Sequence, residues 1–403
     1  MSTKIAWIIN PYDRILGEYE TVGRYGTLAG ELIKRGHKVV WWTSDFNHGN
    51  KSRRTPIKNP VDGLEIRYLP VPSYKRNIGF DRLWNCYKYG KEFYKEALQT
   101  PKPDVILASL PPIESAANAV RYAQPLNIPV IIDIQDIWPE AFLLPFPKST
   151  HGLVSLLLTP YFKMSARAYR GASAITGVSP QYVELGLSKR TNKDPRIASH
   201  VAYLGYEEEV FASAQPKFND GRIRIVFAGT LGHTYDVEAM VRAASMLAKS
   251  HSSAEFIIIG SGPLEERARS LAAELGLSPS MFLGRLPFTD VVAWLKSSSI
   301  GINGYAAGAP QSFTNKICEY AGAGLAIANS LSDGLDTFID NHAIGMNYQA
   351  GNAEQLYTIL KKMIDDPELL ATYKANSRQT ALDLFERKKV YNEFASFVLN
   401  QVS

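Results

Sequence analysis

The chain has 403 residues, of which 45% are apolar and 21% are charged. These proportions are ordinary for a soluble globular protein and exclude a mostly disordered or fibrous chain. The two cysteines, Cys86 and Cys318, are too few for a disulfide framework or a cysteine-based zinc site. The net charge of +5 is uneven, because residues 1–200 carry 27 Lys and Arg against 17 Asp and Glu. A basic first half favours an anionic partner, with an ordinary solvated surface as the alternative.

The N-terminus, MSTKIAWIIN, leads directly into a strand pattern and has no apolar signal-peptide region. The chain also lacks a run of about 18 apolar residues, the length that spans a membrane. We therefore expect a cytoplasmic protein without a transmembrane segment.

Short apolar runs alternate with longer segments of helical spacing. Near-continuous apolar runs are typical of parallel strands that are buried on both faces. Helices are predicted over 22–34, ending before Gly36, and over 81–99, with Asp81 as a possible N-cap and Leu83, Tyr87, Tyr94 and Leu98 facing the core. The predicted strands are 5–9, 39–42, 105–108, 130–134, 174–177, 223–228, 256–259, 299–303 and 325–328.

This alternation predicts an α/β protein with right-handed crossovers. Residues 186–220 are loop-rich and polar, and the alternation restarts at 223–228. We predict two doubly wound domains, 1–204 and 205–380, and a final helical segment, 381–403, within a helical stretch over 373–401.

The first strand is followed by a glycine loop that contains Gly17, Gly23 and Gly26. Their spacing differs from the G-x-G-x-x-G fingerprint, which disfavours a nicotinamide or flavin enzyme. Gly23 and Arg24 open the first helix, and helix N-termini with nearby arginines suit anionic groups. An ordinary strand–helix turn is the equally weighted alternative.

Two glycine turns open the second domain. The first, FAGTLG, ends a strand, and the second, IIIGSGP, ends the next one. Together they predict a ligand crevice at the carboxyl ends of the strands. Gly229 and Gly232 allow a close approach of the backbone, and the amides that follow, together with His233, are suited to a pyrophosphate. The candidate residues of the two turns are Gly229, Thr230, Gly232, His233 and Gly260.

Three charged residues follow later strands of the same domain. Arg285 comes directly after a short strand, and Lys316 and Glu319 lie three residues apart on one side of a helix. A glutamate near such a crevice is suited to accept two ribose hydroxyls, and a lysine there would neutralise a phosphate. The alternative is a surface ion pair between Lys316 and Glu319.

Four stretches together resemble the family 4 retaining glycosyltransferases: GRYGTLAGELIKRGHKVVWWTS, IIDIQDIWPE, VFAGTLG with IIIGSGPLEE, and NKICEYAGAGLAIANS. The resemblance implies the GT-B fold, in which two Rossmann-like domains face each other across a cleft and the C-terminal helix packs back toward the first domain. The segments IDIQDIWPE and RGHKV are most similar to bacterial enzymes that build O-antigen or capsule, with fucosamine-type transferases nearest.

The resemblance also implies roles for individual residues. Glu319 matches the second member of the family's E-x7-E motif, which binds the donor ribose, whereas Gln311 stands where the first glutamate contacts the donor sugar. The Arg and Lys that usually follow the FAGTLG turn are absent here, so Lys316, Arg285 or His233 would hold the diphosphate. No metal is expected, because protein groups supply the positive charge.

Asp136 in IDIQDIWPE is the predicted catalytic residue of the first domain, where it would orient or deprotonate the acceptor. The alternative is a helix N-cap. Asp133, inside the preceding apolar strand, is interpreted as satisfying backbone groups.

The implied partners are a nucleotide-diphosphate sugar, with UDP favoured, and a glycan or lipid-diphosphate acceptor. Residues 153–169 are first apolar and then basic, which suits peripheral contact with an anionic membrane; a buried helix with a solvated end is the alternative. No nucleic-acid partner is expected. Two further functions stay open: a nucleotide-sugar epimerase of the same fold, and a non-catalytic nucleotide-sugar-binding partner of another transferase.

Overall fold

The computed structural model describes residues 2–16, 22–57, 61–77, 79–144, 146–190, 197–309, 311–332 and 334–402. Packing within the chain defines two compact units: unit 1 comprises Met1–Tyr203 with Tyr391–Ser403, and unit 2 comprises Leu204–Val390. The chain thus returns to unit 1 after residue 390, later than the predicted start of the final segment at residue 381.

Unit 1 contains, in its described part, a seven-stranded parallel sheet with the strand order β5-β2-β1-β6-β7-β8-β9. A small antiparallel hairpin, β3–β4, lies outside this sheet. The strands are β1 Ile5–Ile9, β2 Lys38–Ser44, β3 Phe46–Asn47, β4 Ser52–Arg53, β5 Leu64–Leu69, β6 Val105–Leu110, β7 Val130–Ile134, β8 Ala174–Gly177 and β9 Ala198–Val201.

The five predicted strands of unit 1 are confirmed, and their apolar side chains form its core. Trp7 on β1 packs edge-on against Trp42 on β2, with ring centroids 4.9 Å apart, and both contact Phe93. Such aromatic pairs add to the area that the sheet buries against its helices. The helices are α1 Arg24–Lys34, α2 Phe80–Ala97, α3 Ile113–Ala123, α4 His151–Leu157, α5 Thr159–Gly171 and α6 Pro180–Ser188.

The predicted core face of α2 is wrong. Tyr87 is 46% exposed and Leu98 64% exposed, and Asp81 lies in the first turn after the N-cap residue Gly79. A Cβ on Gly90 would lie 2.8 Å from backbone and Cβ atoms of Glu114, so α2 approaches α3 through its glycine face. The buried residues of α2 are Asn85, Cys86, Tyr89, Gly90, Phe93 and Ala97.

Unit 2 contains, in its described part, a six-stranded parallel sheet in the order β12-β11-β10-β13-β14-β15. The predicted strands of this unit are confirmed. The strands are β10 Arg224–Ala228, β11 Glu255–Ile259, β12 Phe282–Gly284, β13 Ile300–Asn303, β14 Ala326–Asn329 and β15 Gly345–Asn347. The helices are α7 Glu208–Ser213, α8 Val237–Ser250, α9 Glu265–Glu274, α10 Phe288–Lys296, α11 Asn315–Gly322, α12 Leu335–Asn341, α13 Ala353–Asp365 and α14 Pro367–Thr380.

The last helical stretch is interrupted. After α14 and a π-helical turn, Ala381–Phe385, a final helix α15 runs over Arg387–Leu399. The Tyr206 amide donates to the Phe385 carbonyl at 2.9 Å, and the Arg387 amide donates to the Tyr206 carbonyl at 3.0 Å. Because these backbone groups pair with Tyr206, they leave the helical pattern, and the single predicted helix becomes two.

Candidate functional site

The order of the strands in unit 2 creates a switch point between β10 and β13. From β10 the chain adds β11 and β12 on one side, and then β13, β14 and β15 on the other. Parallel α/β sheets bind ligands outside the carboxyl ends of the strands at such a point. The loops that follow β10 and β13 meet here, since Tyr235 and Tyr305 form an isolated antiparallel bridge.

The two predicted glycine turns pack directly against each other. The Gly229 amide donates to the Ile259 carbonyl at 2.9 Å, and the Leu231 amide donates to the Ser261 carbonyl at 3.0 Å. Gly260 has a φ of +133°, and a Cβ there would lie 1.9 Å from the Gly229 carbonyl oxygen. The Gly260 amide donates to the Gly284 carbonyl. The amides of Gly229 and Gly260 thus hold the two turns together, which leaves the amides that follow Gly229 as the candidates for an anion.

Other amides of the first turn remain available. Within the described part of the chain, the backbone amides of Thr230, Gly232 and His233 donate to no protein group. The side chains of Thr230 and His233 are exposed. Three free amides in one turn at a strand end are suited to an anion, so the prediction of an anion-binding turn narrows to these three residues.

Lys316 lies in the first turn of α11 and is buried, with 8% of its surface exposed. Its Nζ donates to the Tyr235 hydroxyl at 3.0 Å and lies 4.2 Å from the centroid of the Tyr235 ring. The Phe227 and Tyr305 rings are within 5.6 Å of it. A Cβ on Gly229 would lie 2.7 Å from Nζ, which places the ammonium at the first glycine turn. We call Phe227, Tyr235, Tyr305 and Lys316 the switch-point cluster.

The Lys316 ammonium makes no ion pair with a carboxylate in the residues that the structure describes. The predicted alternative, an ion pair with Glu319, does not form. A buried cation normally has an anionic partner, because burial removes its hydration. Burial raises the pKa of Tyr235, but the charge of Lys316 and its hydrogen bond outweigh that effect and lower the pKa below its ordinary value. The cluster is thus an electropositive site to which no described residue supplies a counter-ion.

Glu319 lies one helical turn after Lys316 on α11. Burial raises its pKa to about 7, against the opposing charges of Lys316 and Arg387. Within the described residues no group donates a hydrogen bond to its carboxylate. The side chain is therefore free to accept hydrogen bonds from a ligand, as the resemblance implies for a ribose.

Arg285 and Gln311 are the two remaining predicted residues of unit 2. Arg285 is exposed directly after β12, where Gly284 has a φ of +68°, and it forms no ion pair within the described residues. Gln311 is partly buried, and its Oε1 is buried without a hydrogen-bond partner in the described structure. Both side chains keep polar atoms available to a ligand.

The predicted anion site at Gly23 and Arg24 in unit 1 is already filled by protein groups. The Asp13 carboxylate accepts a hydrogen bond from the Tyr25 amide at 2.6 Å, and a Cβ on Gly23 would lie 1.6 Å from Asp13 Oδ1. The N-terminus of α1 therefore holds a carboxylate of the chain itself. Gly17, at the start of the predicted loop, lies outside the described residues.

Arg24 forms a buried structural ion pair rather than an open phosphate site. Its Nε and Nη2 each donate to the Asp133 carboxylate at 2.8 Å, and its Nη1 donates to the Ala202 carbonyl at 2.6 Å. The hydroxyls of Tyr25 and Thr176 also donate to Asp133, at 2.7 Å each. Burial raises the pKa of Asp133, but Arg24 and these hydrogen bonds outweigh it and lower the pKa. Asp133 thus binds side chains, not the backbone groups that the sequence suggested.

Asp136 follows β7 and does not cap a helix. Its Oδ1 accepts a hydrogen bond from the Ile137 amide at 2.9 Å. Burial raises its pKa, against the backbone hydrogen bond of Ile137 and the charge of Arg82. A partly buried carboxyl group of raised pKa at a strand end is compatible with acid–base work, and the catalytic role of Asp136 stays a prediction.

Sequence reasoning missed Tyr235, which accepts the hydrogen bond of Lys316, and Tyr305, whose ring lies 5.6 Å from that ammonium. It also missed Asp13, which fills the end of α1. The aromatic residue after GTLGHT was the available signal. Among the residues described, no group of three His, Cys, Asp or Glu side chains is arranged to hold a metal ion. None of the described helices has the length and apolar character needed to cross a bilayer.

The fold is shared with solved glycosyltransferase structures. Sucrose-phosphate synthase from Thermosynechococcus elongatus aligns with a TM-score of 0.71 at 14% identity over 98% of both chains. Anabaena HepE in complex with UDP aligns with a TM-score of 0.67 at 13% identity, over 99% of this chain and all of that one. WaaG, a glycosyltransferase involved in lipopolysaccharide biosynthesis, aligns with a TM-score of 0.65 at 14% identity, over 98% of this chain and 99% of WaaG. At these identities the likeness establishes the fold alone, and that fold is GT-B.

The family follows from the sequence models. Residues 22–198 match the model of the glycosyl transferase 4-like domain, and residues 209–380 match that of glycosyl transferases group 1. One match lies in each unit, and together they cover more than four fifths of the chain. The chain belongs to the glycosyltransferases that combine these two domains. It is also 25% identical, over 203 residues, to an uncharacterized glycosyltransferase of Methanocaldococcus jannaschii. That match spans 48% of this chain and about half the length of the relative.

Proposed function

We propose that this glycosyltransferase takes its sugar from a nucleotide-diphosphate sugar, with UDP as the favoured nucleotide. The observation that carries the proposal is the buried Lys316 ammonium. Among the residues that the structure describes, it has no carboxylate partner, and it lies at the turn whose three amides donate to no described group. A diphosphate would supply the missing negative charge, and the unpaired Glu319 carboxylate would accept the ribose hydroxyls. The choice of UDP is supported by the complex of HepE with UDP.

The chemistry of the site follows from charge. When the bond between the anomeric carbon and the phosphate oxygen breaks, negative charge collects on the departing diphosphate. Lys316 and the amides of Thr230, Gly232 and His233 would stabilise that charge without moving, which is the most effective form of electrostatic catalysis. Because these groups supply the positive charge, we propose that turnover needs no divalent metal.

We further propose that the anomeric configuration is retained. In this scheme the acceptor oxygen bonds to the anomeric carbon on the face that the diphosphate leaves, and the hydroxyl proton passes to the departing diphosphate. Asp136 would orient the acceptor hydroxyl, and Gln311 would contact the donor sugar in place of the usual glutamate. A glycan or lipid-diphosphate acceptor in bacterial surface polysaccharide synthesis is supported by the involvement of WaaG, which has the same fold, in lipopolysaccharide biosynthesis.

The first test is thermal unfolding of the full chain with UDP, GDP, ADP, dTDP and CMP, each with and without magnesium. A ligand at 100 times its dissociation constant stabilises the native state by about 2.7 kcal/mol. We expect stabilisation by UDP, independent of magnesium, and its loss in Lys316→Ala. Lys249→Ala, an exposed lysine of the same unit, should keep the full effect.

Each other outcome is informative. Stabilisation by a different diphosphate would reassign the base, and stabilisation only with magnesium would overturn the metal-free scheme. If no nucleotide stabilised the protein, the switch-point cluster would not be a donor site. Binding without transfer or donor hydrolysis would favour a non-catalytic partner, and interconversion of the donor sugar would favour an epimerase.

A further inference from the structure

The segment between Glu140 and Glu184 contains no acidic residue. It includes α4 and α5 of unit 1, and its four lysines and arginines are exposed. None of the four forms an ion pair within the described residues. Three lie on the solvent face of α5 at i, i+4 and i+7, opposite the buried Ser165, Ala168 and Tyr169. The cations are Lys148, Lys163, Arg167 and Arg170.

The same segment exposes large apolar side chains. Leu153, Leu156 and Leu157 of α4 are 67%, 69% and 74% exposed, and Leu144 and Phe146 just before it are 45% and 47% exposed. Single exposed leucines are common on protein surfaces, whereas a contiguous apolar group beside unpaired cations marks an interaction site. The predicted alternative, a buried helix with a solvated end, is wrong for α4, of which no residue is buried, although α5 does bury Ser165, Ala168 and Tyr169.

We propose that α4 and α5, here called the docking hairpin, bind the surface of an anionic lipid bilayer. The leucines of α4 would enter the region between headgroups and acyl chains, and the cations of α5 would contact anionic headgroups. Burial of the leucine side chains lowers the free energy only if the partner is apolar. The four cations, in turn, are stabilised only by a partner that carries negative charge. An anionic bilayer provides both an apolar interior and a negatively charged surface.

Charge also argues against a second copy of the chain as the occupant. A two-fold symmetric contact brings the same patch of both molecules together. It would place the stripe of Lys163, Arg167 and Arg170 against its own copy, with no carboxylate in the segment to compensate. The inference deepens the proposed function, because a lipid-diphosphate acceptor is reached at a bilayer, but vesicle binding itself requires no catalysis.

The test is co-sedimentation of the full chain with vesicles of phosphatidylcholine alone, or mixed equally with phosphatidylglycerol. We expect binding to the mixed vesicles that weakens in high salt, and much weaker binding to the neutral ones. Each cation near an anionic surface contributes roughly 1 kcal/mol, so K163Q/R167Q/R170Q should lower the partition coefficient on the order of 100-fold. L153Q/L156Q/L157Q should also abolish co-sedimentation with the mixed vesicles, because the leucines can then no longer enter the bilayer.

Matched controls separate the hairpin from general surface effects. L98Q/L126Q removes two exposed leucines elsewhere on unit 1, which are 64% and 43% exposed. K217Q/K249Q/K362Q removes the same charge from exposed lysines of unit 2. Both controls should bind vesicles like the wild type.

Three results would overturn the inference: no binding of the wild type to mixed vesicles, equal losses in the controls, or a dimer in sedimentation velocity that the leucine variant abolishes. The last result would assign the patch to a second copy. Stabilisation by UDP is measured on every variant in parallel. A wild type that is stabilised by UDP but does not bind the mixed vesicles removes only this inference, whereas a wild type that binds the vesicles but responds to no nucleotide removes only the proposed donor site.

Discussion

The Lys316 ammonium donates a hydrogen bond to the Tyr235 hydroxyl over 3.0 Å. Tyr235 belongs to the loop that also carries the free amides, and Lys316 belongs to the helix that also carries Glu319. The contact therefore fixes the cation relative to the proposed phosphate-binding turn. In the proposed donor site, Tyr235 and Lys316 would take the place of the Arg and Lys that the family pattern puts next to the turn itself.

The first prediction concerns this contact. Tyr235→Phe keeps the ring beside the ammonium but removes its hydrogen-bond acceptor, so the cation is no longer held at the turn. A hydrogen bond to a charged group contributes about 1.5 kcal/mol or more, so UDP affinity should fall roughly tenfold. Isothermal titration calorimetry measures this directly. Tyr357→Phe, on α13 of the same unit, is the control, and an unchanged affinity in Tyr235→Phe would remove Tyr235 from the site.

The second prediction is a pH dependence of nucleotide binding. Glu319 must be ionised to accept two hydroxyls, and burial raises its pKa to about 7. Its ionised fraction rises from about one tenth at one pH unit below that pKa to about nine tenths at one unit above, so UDP affinity should increase close to tenfold across this window. Glu319→Gln should bind UDP more weakly at high pH and flatten the increase.

The diphosphate itself also titrates in this range, so the comparison between wild type and Glu319→Gln carries the conclusion. Equal slopes in the two proteins would mean that Glu319 does not contact the nucleotide. A steeper slope in the wild type alone would assign the proton to Glu319.

The third prediction is structural and concerns Arg24 and Asp133. Their side chains are 4% and 0% exposed, and removing one partner leaves the other charge buried and unpaired. Arg24→Ala and Asp133→Asn should each lower the free energy of unfolding by about 3–5 kcal/mol. The double variant should lose less than the sum, because neither charge then remains. Urea denaturation measures these changes.

Arg242→Ala, which breaks the exposed ion pair with Glu238 on α8, is the matched control. Surface pairs contribute about 0–1 kcal/mol, so this variant should be nearly neutral. If Arg24→Ala left the free energy of unfolding equally unchanged but reduced transfer to the acceptor, Arg24 would be a ligand-binding residue and not a structural one.

The parts of the fold that were predictable are those in which the signal is local. The central strands are continuous apolar runs because both faces of a parallel sheet are buried. The edge strands β5, β9 and β15 were missed. In β5, LEIRYL, polar residues alternate with apolar ones, and β15 has only three residues. An edge strand contacts one neighbour and needs no such run.

The site was predictable only as a set of strand ends. Which glycine amides remain free depends on the backbone pairing of Gly229 with Ile259, between segments thirty residues apart. Arg24 is not available to a ligand because it forms an ion pair with Asp133, a residue 109 positions away in the chain. Neither contact can be inferred from the spacing of nearby residues. The sequence therefore indicated which residue types lie at the ends of the strands, but not which partners they bind.

The last prediction concerns Glu114, in the first turn of α3. It is 2% exposed, and neither carboxylate oxygen has a hydrogen-bond partner in the described structure. Burial raises its pKa from 4.5 to about 7. The native state therefore binds the proton more tightly than the unfolded state. Its contribution to stability is fully present below about pH 4.5 and is lost as the pH rises toward 7.

Glu114→Gln removes this titration while keeping the shape of the side chain. The free energy of unfolding of the wild type should fall relative to the variant as the pH rises from 4.5 to 7, by about 3 kcal/mol at most. Urea denaturation at a series of pH values measures the difference, with Glu354→Gln, an exposed glutamate on α13, as the control. If the free energies of unfolding of the wild type and Glu114→Gln changed in parallel across this range, the carboxylate would be paired or hydrated in solution. Only an unpaired, buried carboxyl group holds its proton at neutral pH.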